Sequence, residues 1–286
     1  MSIEGCEQIG QGSNGVVYRL DADTIIKVYR NPDSLPDIHR ERELARKAFV
    51  MDIPTAIPYD VVKVGNSYGS VFELLNAKSF AKIVTAEPSR LDEMVDEFVK
   101  LLKQIHSTEI KPGEMPYMKE VAISWVNDLQ GELNDDEWKK LSALIEAVPE
   151  CSTMLHGDYH FKNVMVQNGE VLLIDMDTLC IGHPVFEFAS IFLANKGFGE
   201  VDHTKTEDFL GMPYDTTLAI WRKTLERYFD TTDEARLAEY ENKAMVVGYT
   251  RLLRRTVRRE AENTALIDYC KSRLSELLTQ VDSLDF

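Results

Sequence analysis

The sequence predicts an α+β fold in which a small antiparallel β-sheet precedes a mainly helical region. In the first 75 residues, five runs rich in β-branched and aromatic residues are separated by polar or glycine-containing turns, and one helical segment covers residues 36–50. From residue 76 onward, apolar residues recur at the three- and four-residue spacing of amphipathic helices. We therefore predict two domains, residues 1–75 and residues 76–286.

A β-hairpin is predicted within the helical region, inside the stretch of residues 154–177. Runs at residues 164–166 and 171–174 flank Asn168-Gly169, a pair suited to the positive φ angles of a tight turn. Asp158 and Asn163 precede the first run, and Asp175 follows the second. Their oxygens are the ligands that Mg²⁺ prefers when it also carries phosphates. The alternative is a polar hairpin with Asx caps, which is common in loops.

The composition is ordinary for a soluble globular protein, with 44% hydrophobic and 28% charged residues. Four cysteines without a CxxC pair argue against a zinc knuckle and a disulfide framework. We see neither a secretory leader nor an apolar run of membrane-spanning length, so we predict a cytoplasmic protein without a membrane partner. The net charge of −16 disfavours nucleic acid as a partner and favours cationic small molecules.

A glycine-rich turn lies between the first two predicted strands, in the pattern Gly10-x-Gly12-x-x-Gly15. Alone it is weak evidence, and a dinucleotide-binding fold would need a helix after it, whereas a strand follows here. Between antiparallel strands, such a turn can point its backbone amides at nucleotide phosphates. Lys27, on the next apolar strand, is then a candidate ligand of the α/β-phosphates. The alternative is a lysine that faces solvent.

The predicted helix at residues 36–50 carries two acidic candidates to pair with this lysine, Glu41 and Glu43. We favour Glu43, and at least one of the two is expected to be a solvated surface charge. Leu44, Ala48 and Phe49 are predicted to form the apolar stripe of the helix.

Four segments occur in the order typical of the eukaryotic-like kinase fold: GQGSNGVV, the strand lysine of TIIKVY, HGDYHFKN and LLIDMD. HGDxxxxN, where protein kinases have HRDxxxxN, and the segment IDMDTLCIGHPVFEFAS resemble the aminoglycoside phosphotransferase and choline kinase family. The resemblance covers residues 9–194. It implies a two-lobed protein-kinase-like fold, with a β-sheet N-lobe and a mainly helical C-lobe. It also implies transfer of the γ-phosphate of ATP or GTP to a hydroxyl group of a small molecule.

The resemblance also implies roles for individual residues. Asp158 resembles the catalytic base, and Asn163 and Asp175 resemble ligands of the two magnesium ions that bridge the phosphates. Lys27 resembles the phosphate-binding lysine, with Glu43 as its partner. The other implied nucleotide contacts are Gly10, Gly12 and Gly15 over the phosphates, Val17 and Ile25 against the adenine, and the hinge backbone of Glu73 and Leu75. His156 is expected to brace the loop, and Asp177 to reach the second metal or to bond nearby.

Two departures from the family pattern bear on the substrate and the loop. Glu187 stands where an aspartate usually braces the catalytic loop, so the brace is expected to be one methylene longer. Asp175 is followed by Met-Asp rather than Phe-Gly, without a long activation loop, which favours a small-molecule acceptor. The alternatives are a protein kinase and a non-catalytic nucleotide-binding pseudokinase. The complete set of Lys27, Asp158, Asn163 and Asp175 argues against the latter.

An arginine stripe is conspicuous in this acidic chain. Its members follow spacings of three and four, so they share one face of a predicted C-terminal helix: Arg251, Arg254, Arg255, Arg258 and Arg259. Leu252, Leu253 and Val257 are predicted to pack on the core. One interpretation is a docking site for an anionic group. The interpretation that we favour is pairing with the surplus carboxylates of the chain itself.

Overall fold

The computed structural model describes residues 1–11, 15–33 and 35–286. The strands are β1 (Glu7–Gln11), β2 (Gly15–Arg19), β3 (Thr24–Tyr29), β4 (Pro58–Val64), β5 (Ser67–Glu73), β6 (Lys78–Ser79), β7 (Met154–Leu155), β8 (Val164–Gln167), β9 (Glu170–Leu173) and β10 (Cys180–Ile181). The helices are α1 (Leu35–Val50), α2 (Phe80–Ala86), α3 (Leu91–His106), α4 (Met118–Asp128), α5 (Asp135–Glu146), α6 (Pro184–Asn195), α7 (His203–Leu210), α8 (Tyr214–Phe229), α9 (Glu234–Arg259) and α10 (Thr264–Gln280).

The chain forms two compact units. The first comprises Met1–Ser79 and Asn163–Leu179, and the second comprises Phe80–Lys162 and Cys180–Phe286. The hairpin of β8 and β9 therefore groups with the N-terminal sheet, and together with β6 it forms a separate sheet in the order β6-β8-β9. As a division into functional lobes, residues 1–75 and 76–286 stay a prediction.

The first unit is built on an antiparallel sheet of five strands in the order β1-β2-β3-β5-β4, as predicted. Ile26 of β3 is buried in a core cluster with Val64 and Val71. Because successive side chains of a strand point to opposite faces, Ile25 and Lys27 lie on the other face from Ile26.

Helix α1 buries a stripe of apolar residues at helical spacing: Ile38, Leu44, Ala45 and Ala48. The prediction that Phe49 belongs to this stripe is wrong, because its side chain is 49% exposed. Phe49 lies in the last turn of the helix, at the edge of the stripe. Glu41 is a buried charged residue within the stripe, at a position that the sequence analysis had not favoured.

The predicted hairpin is confirmed. Asn168 and Gly169 join β8 to β9 with φ angles of 53° and 85°, the left-handed pair that a two-residue turn requires. The register pairs Val164 with Leu173 and Gln167 with Glu170. The residues that precede β8 and follow β9 therefore meet at the open end of the hairpin.

The second unit is mainly helical, and its centre is α6. Every residue of α6 from Val185 to Asn195 is buried, and the helix packs against α8 and α9. Phe192 of α6 contacts the rings of Trp221 and Tyr249. Over the residues that the structure describes, no helix is long and apolar enough to cross a membrane.

The bounds of one helix in this unit differ from those that apolar spacing indicates. The sequence predicts a helix over residues 125–133, whereas α4 begins and ends earlier. Leu129 and Leu133 are buried in the turns after α4, and they are four residues apart, as buried positions on a helix are. Apolar spacing also predicts a helix over residues 91–106, which matches α3, and it predicts none where α7 lies.

Candidate active site

The first unit holds a mostly buried charge cluster around Lys27. Its Nζ donates to Glu41 Oε1 at 2.9 Å and to Asp175 Oδ1 at 3.0 Å, and its side chain is 17% exposed. Burial alone would lower the pKa of Lys27, but the charges of Asp175 and Glu41 outweigh it and raise the pKa above its usual value. Lys27 is therefore protonated at neutral pH, and its side chain is not the solvent-facing one of the alternative interpretation.

The predicted pairing of Lys27 with Glu43 is wrong, because the partner on α1 is Glu41. Glu41 is buried, and its second oxygen accepts a hydrogen bond from the hydroxyl of Tyr29. The Glu43 side chain is 69% exposed and contacts Lys47 at 3.5 Å. The two positions differ by about 200° around a helix, so only one of them can face the sheet.

We expect Glu41→Ala to lower the free energy of unfolding by about 2 kcal/mol, since it leaves the buried Tyr29 hydroxyl and one donor of Lys27 short of a partner. Urea denaturation measures this change. The matched control is Glu43→Ala, which removes an exposed carboxylate from the same helix and is expected to stay within about 0.5 kcal/mol of wild type. Equal destabilisation by both variants would contradict the assignment.

The open end of the hairpin brings Asn163 and Asp175 together. The Ile174 N–H donates to Asn163 O at 3.0 Å, which extends the pairing one residue beyond the strands. Asp175 follows with a left-handed backbone, φ 65° and ψ 63°, and this turn directs its carboxylate to Lys27. Asn163 is buried, whereas the Asp175 side chain is 42% exposed. Asp177 lies close enough to raise the pKa of Lys27 further.

Of the three glycines of the predicted phosphate loop, two lie in the described part of the chain. Gly12 lies outside the described residues. A Cβ on Gly15 would come within 2.4 Å of Val28 O, so glycine is required there by the approach of β2 to β3. A Cβ on Gly10 would make only ordinary contacts with Val17.

The residues predicted to contact the adenine occupy one region of the sheet. Val17 pairs with Lys27 across β2 and β3, and Ile25 is two residues before Lys27, so all three share a face. The chain leaves β5 after Glu73, whose N–H donates to Ile57 O at 3.0 Å. Within the described residues, the backbone N–H and C=O of Leu75 make no hydrogen bond.

In the second unit, Glu187 braces the loop that follows β7. Its carboxylate accepts from the His156 N–H at 2.5 Å and from the Gly157 N–H at 3.0 Å, and the residue is fully buried on α6. The brace of this loop that the sequence predicts is therefore present, and Glu187 supplies it in place of an aspartate. His156 is also fully buried, and its Nδ1 accepts from the Asp158 N–H at 3.3 Å, as expected of a bracing residue.

Asp158 sits beyond this brace with a 40% exposed side chain. His160 Nε2 lies 3.4 Å from Oδ2, and an Arg251 guanidinium nitrogen lies 3.9 Å from Oδ1. Burial would raise the pKa of Asp158, but the hydrogen bond and charge of His160 and the charge of Arg251 hold it well below its usual value. The carboxylate is therefore ionised at neutral pH.

The sequence analysis missed His160 and Arg251 as neighbours of Asp158. His160 is only two residues away, so its place within HGDYHFKN was an available signal. Arg251 is 93 residues further along the chain, on α9, and nothing in the order of the motifs pointed to it.

Three members of the arginine stripe pair with carboxylates of the chain, which is the interpretation that the sequence favoured. Arg254 and Arg258 each donate to Asp128 Oδ2 at 2.7 Å, and Arg255 lies 3.6 Å from Glu260. Leu252 and Leu253 are buried, as predicted. Arg254 and Arg258 therefore link α9 to the end of α4, whereas the contact of Arg255 is local to the end of α9.

We expect the double variant Arg254→Ala with Arg258→Ala to lower the Tm by roughly 2–4 °C while leaving the acceptor KM unchanged, because both partners of Asp128 are lost. The matched control is Arg259→Ala, whose side chain has no ion-pair partner among the described residues. A raised acceptor KM at an unchanged Tm would instead place this stripe at a substrate site.

Comparisons with known proteins identify the family and the fold. Residues 5–240 match the family model described as phosphotransferase enzyme family. A comparison with curated protein sequences finds no significant match.

Solved structures of similar fold cover nearly the whole chain. A thermostable mutant of aminoglycoside phosphotransferase APH(4)-Ia, in ternary complex with ADP and hygromycin B, has a TM-score of 0.66 at 14% identity, over 97% of this chain and 94% of that one. ADP-bound aminoglycoside phosphotransferase APH(2'')-Ib has a TM-score of 0.63 at 16% identity, over 98% and 94%. A choline/ethanolamine kinase family protein from Mesorhizobium loti has a TM-score of 0.56 at 13% identity, over 96% and 87%. The predicted kinase-like α+β fold is confirmed.

Proposed function

Since the chain belongs to the phosphotransferase enzyme family, we propose that it transfers the γ-phosphoryl group of ATP to a hydroxyl group of a small molecule. The observation that carries this proposal is the cluster of Lys27, Glu41 and Asp175. Two carboxylates keep the lysine charged and oriented on the sheet face that also carries Val17 and Ile25. A fixed ammonium group of this kind suits the α/β-phosphates of a nucleotide.

Magnesium fits the side chains at the open end of the hairpin. Asn163 and Asp175 offer an amide and a carboxylate oxygen, and Mg²⁺ commonly takes one or two such protein ligands and completes its shell with phosphates and water. The described residues contain no cluster of three or more His, Cys, Asp or Glu that would hold a metal without a nucleotide. When bound, the ion would neutralise charge on the phosphates. We assign Asn163 and Asp175 as its ligands.

Asp158 is the proposed catalytic base. Its ionised carboxylate accepts a hydrogen bond from the acceptor hydroxyl and takes the proton as the hydroxyl oxygen bonds to the γ-phosphorus. The bond from that phosphorus to the β–γ bridging oxygen breaks in the same transfer, and ADP leaves. The brace of Glu187 on the preceding backbone holds the loop that carries it. His160 favours the ionised form of Asp158 that this role requires.

The remaining nucleotide contacts are proposed from the places of the residues in the sequence motifs and, for the described residues, in the sheet. Gly10, Gly12 and Gly15 would cover the phosphates, Val17 and Ile25 would contact the adenine, and the backbone of Glu73 and Leu75 would read its edge. The backbone of Leu75, which makes no hydrogen bond to the part of the chain that the structure describes, supports the last assignment. In this scheme residues 1–75 form the nucleotide-binding lobe and residues 76–286 the acceptor-binding lobe.

We propose a cationic amino-alcohol or amino-sugar as the class of acceptor. The net charge of −16 attracts cations to the protein surface, and hygromycin B, choline and ethanolamine all carry amino or ammonium groups beside hydroxyls. Use of ATP is also compatible with the cytoplasmic location predicted from the sequence.

The test is ADP release by purified protein with magnesium and ATP or GTP, against a panel of hydroxylated compounds. The panel contains hygromycin B, other aminoglycosides, choline, ethanolamine, sugars and nucleosides, and Asp158→Asn is the control for contaminating activity. We expect acceptor-dependent ADP release that this variant lacks. Peptide-dependent release, without a response to small molecules, would favour a protein kinase.

A further inference from the structure

Arg251 differs from the rest of the arginine stripe. It follows the stripe spacing, yet its guanidinium donates to Gly157 O at 3.1 Å, whereas Arg254 and Arg258 contact Asp128. The guanidinium also lies over the ring of the buried Trp125 of α4, with its carbon 5.7 Å from the ring centroid. Its side chain is 30% exposed, so ring and loop together hold it in place.

With Arg251, both backbone polar groups of Gly157 are held by charged side chains. The N–H donates to Glu187 on α6, and the C=O accepts from Arg251 on α9. Gly157 has a φ of 80°, which glycine adopts readily because it has no Cβ. The same freedom gives the backbone at this residue little stiffness of its own. Two charged contacts from two different helices therefore fix the residue immediately before Asp158.

The carboxylate of Asp158 is also held from two sides. His160 Nε2 lies 3.4 Å from Oδ2, and an Arg251 nitrogen lies 3.9 Å from Oδ1. Because each oxygen faces its own neighbour, rotation of the carboxylate would cost one of the two interactions. The same guanidinium thus contacts the loop backbone and faces the side chain that the loop presents.

We propose that Arg251 is a positioning residue, which fixes the Gly157-Asp158 segment so that Asp158 presents one oxygen to the acceptor hydroxyl. This inference rests on the proposed function in taking Asp158 as the base. Arg251 is not needed to attach α9, because Leu252 and Leu253 are buried and Arg254 and Arg258 are paired with Asp128.

We expect Arg251→Ala to lower kcat by about 100-fold, the order of loss that a misplacement of about 1 Å causes. The KM for ATP and the Tm should stay close to the wild-type values. Arg251→Lys retains the charge but cannot form the planar contact with both Gly157 and Trp125, so an intermediate kcat is expected. Added ethylguanidinium should restore part of the kcat of Arg251→Ala.

The matched control is Arg255→Ala, which removes the same group one turn further along α9, where the partner is Glu260. Its kcat should equal that of wild type and should not respond to ethylguanidinium. These kinetics are measured with magnesium-ATP and the panel compound that wild type phosphorylates fastest. A wild-type kcat for Arg251→Ala would overturn the proposal, and so would a loss that Arg255→Ala reproduces.

A second measurement separates this proposal from the proposed function. Hydrogen–deuterium exchange of the peptide that contains residues 154–163 requires no turnover. We expect faster exchange there in Arg251→Ala than in wild type and in Arg255→Ala. If wild type phosphorylates no panel compound, the proposed acceptor class fails, and faster exchange still supports the anchoring of the loop by Arg251. Identical exchange in all three proteins would overturn the anchoring whatever the activity.

Discussion

Asp158→Asn is expected to lower turnover by about 10²–10⁴-fold, the usual loss when a positioned general base is removed. Asparagine retains the size of the side chain but cannot accept the proton of the hydroxyl. Affinity for magnesium-nucleotide should be nearly unchanged, because in the proposed role Asp158 contacts the acceptor and not the phosphates. The variant should therefore separate chemistry from nucleotide binding.

Steady-state kinetics on an identified acceptor, together with calorimetric titration of magnesium-ATP, measures both quantities. The matched control is Asp136→Asn, which makes the same chemical change at an exposed position of α5. It should leave kcat and nucleotide affinity at their wild-type values. Wild-type turnover in Asp158→Asn would remove this residue from the role of base.

Replacement of Asp175 by alanine is expected to remove most of the magnesium-dependent part of nucleotide binding. A ligand that binds only the folded state stabilises it by RT ln(1 + [L]/Kd), which is about 2.7 kcal/mol at a hundredfold excess over Kd. Wild type should show this gain with ATP and magnesium, and Asp175→Ala should lose most of it. Lys27 would still be paired with Glu41, so the ion pair between these two residues is retained in the variant.

The backbone of Asp175 requires a careful control, because its φ of 65° is one that alanine tolerates poorly. Asp230→Ala makes the same substitution at another left-handed aspartate, φ 49°, which ends α8 and is exposed. It should show comparable strain and an unchanged magnesium-dependent shift. Thermal shifts of the three proteins with ATP, with and without magnesium, measure the effect. Equal magnesium-dependent shifts in wild type and Asp175→Ala would refute a metal-ligand role.

The sheet and the hairpin could be predicted because their signals are local. Alternating strand residues, Gly15 and the Asn168-Gly169 turn determine short-range backbone geometry, and the structure agrees with each. The predicted end of α4 is wrong because Leu129 and Leu133, which are buried in turns, have the four-residue spacing of buried residues on a helix.

The candidate site was predicted less completely, for two different reasons. Glu41 could have been preferred to Glu43 from the sequence, because it shares helical spacing with Leu44 and Ala48. Arg251 could not, because its contact with Gly157 depends on where α9 packs, and no local pattern encodes that contact. Sequence motifs identified the charged side chains that we propose for the chemistry. The residues that hold these side chains in place contact them from distant parts of the sequence.

The measurement that tests the central claim most directly follows the γ-phosphoryl group itself. Wild type is incubated with magnesium and γ-radiolabelled ATP, in the presence of the acceptor panel and of a low-molecular-mass cell extract, and the products are separated by size and charge. The proposed function predicts label in a low-molecular-mass phosphate ester that is absent with Asp158→Asn. Label found only on polypeptide, or released only as inorganic phosphate, would contradict it.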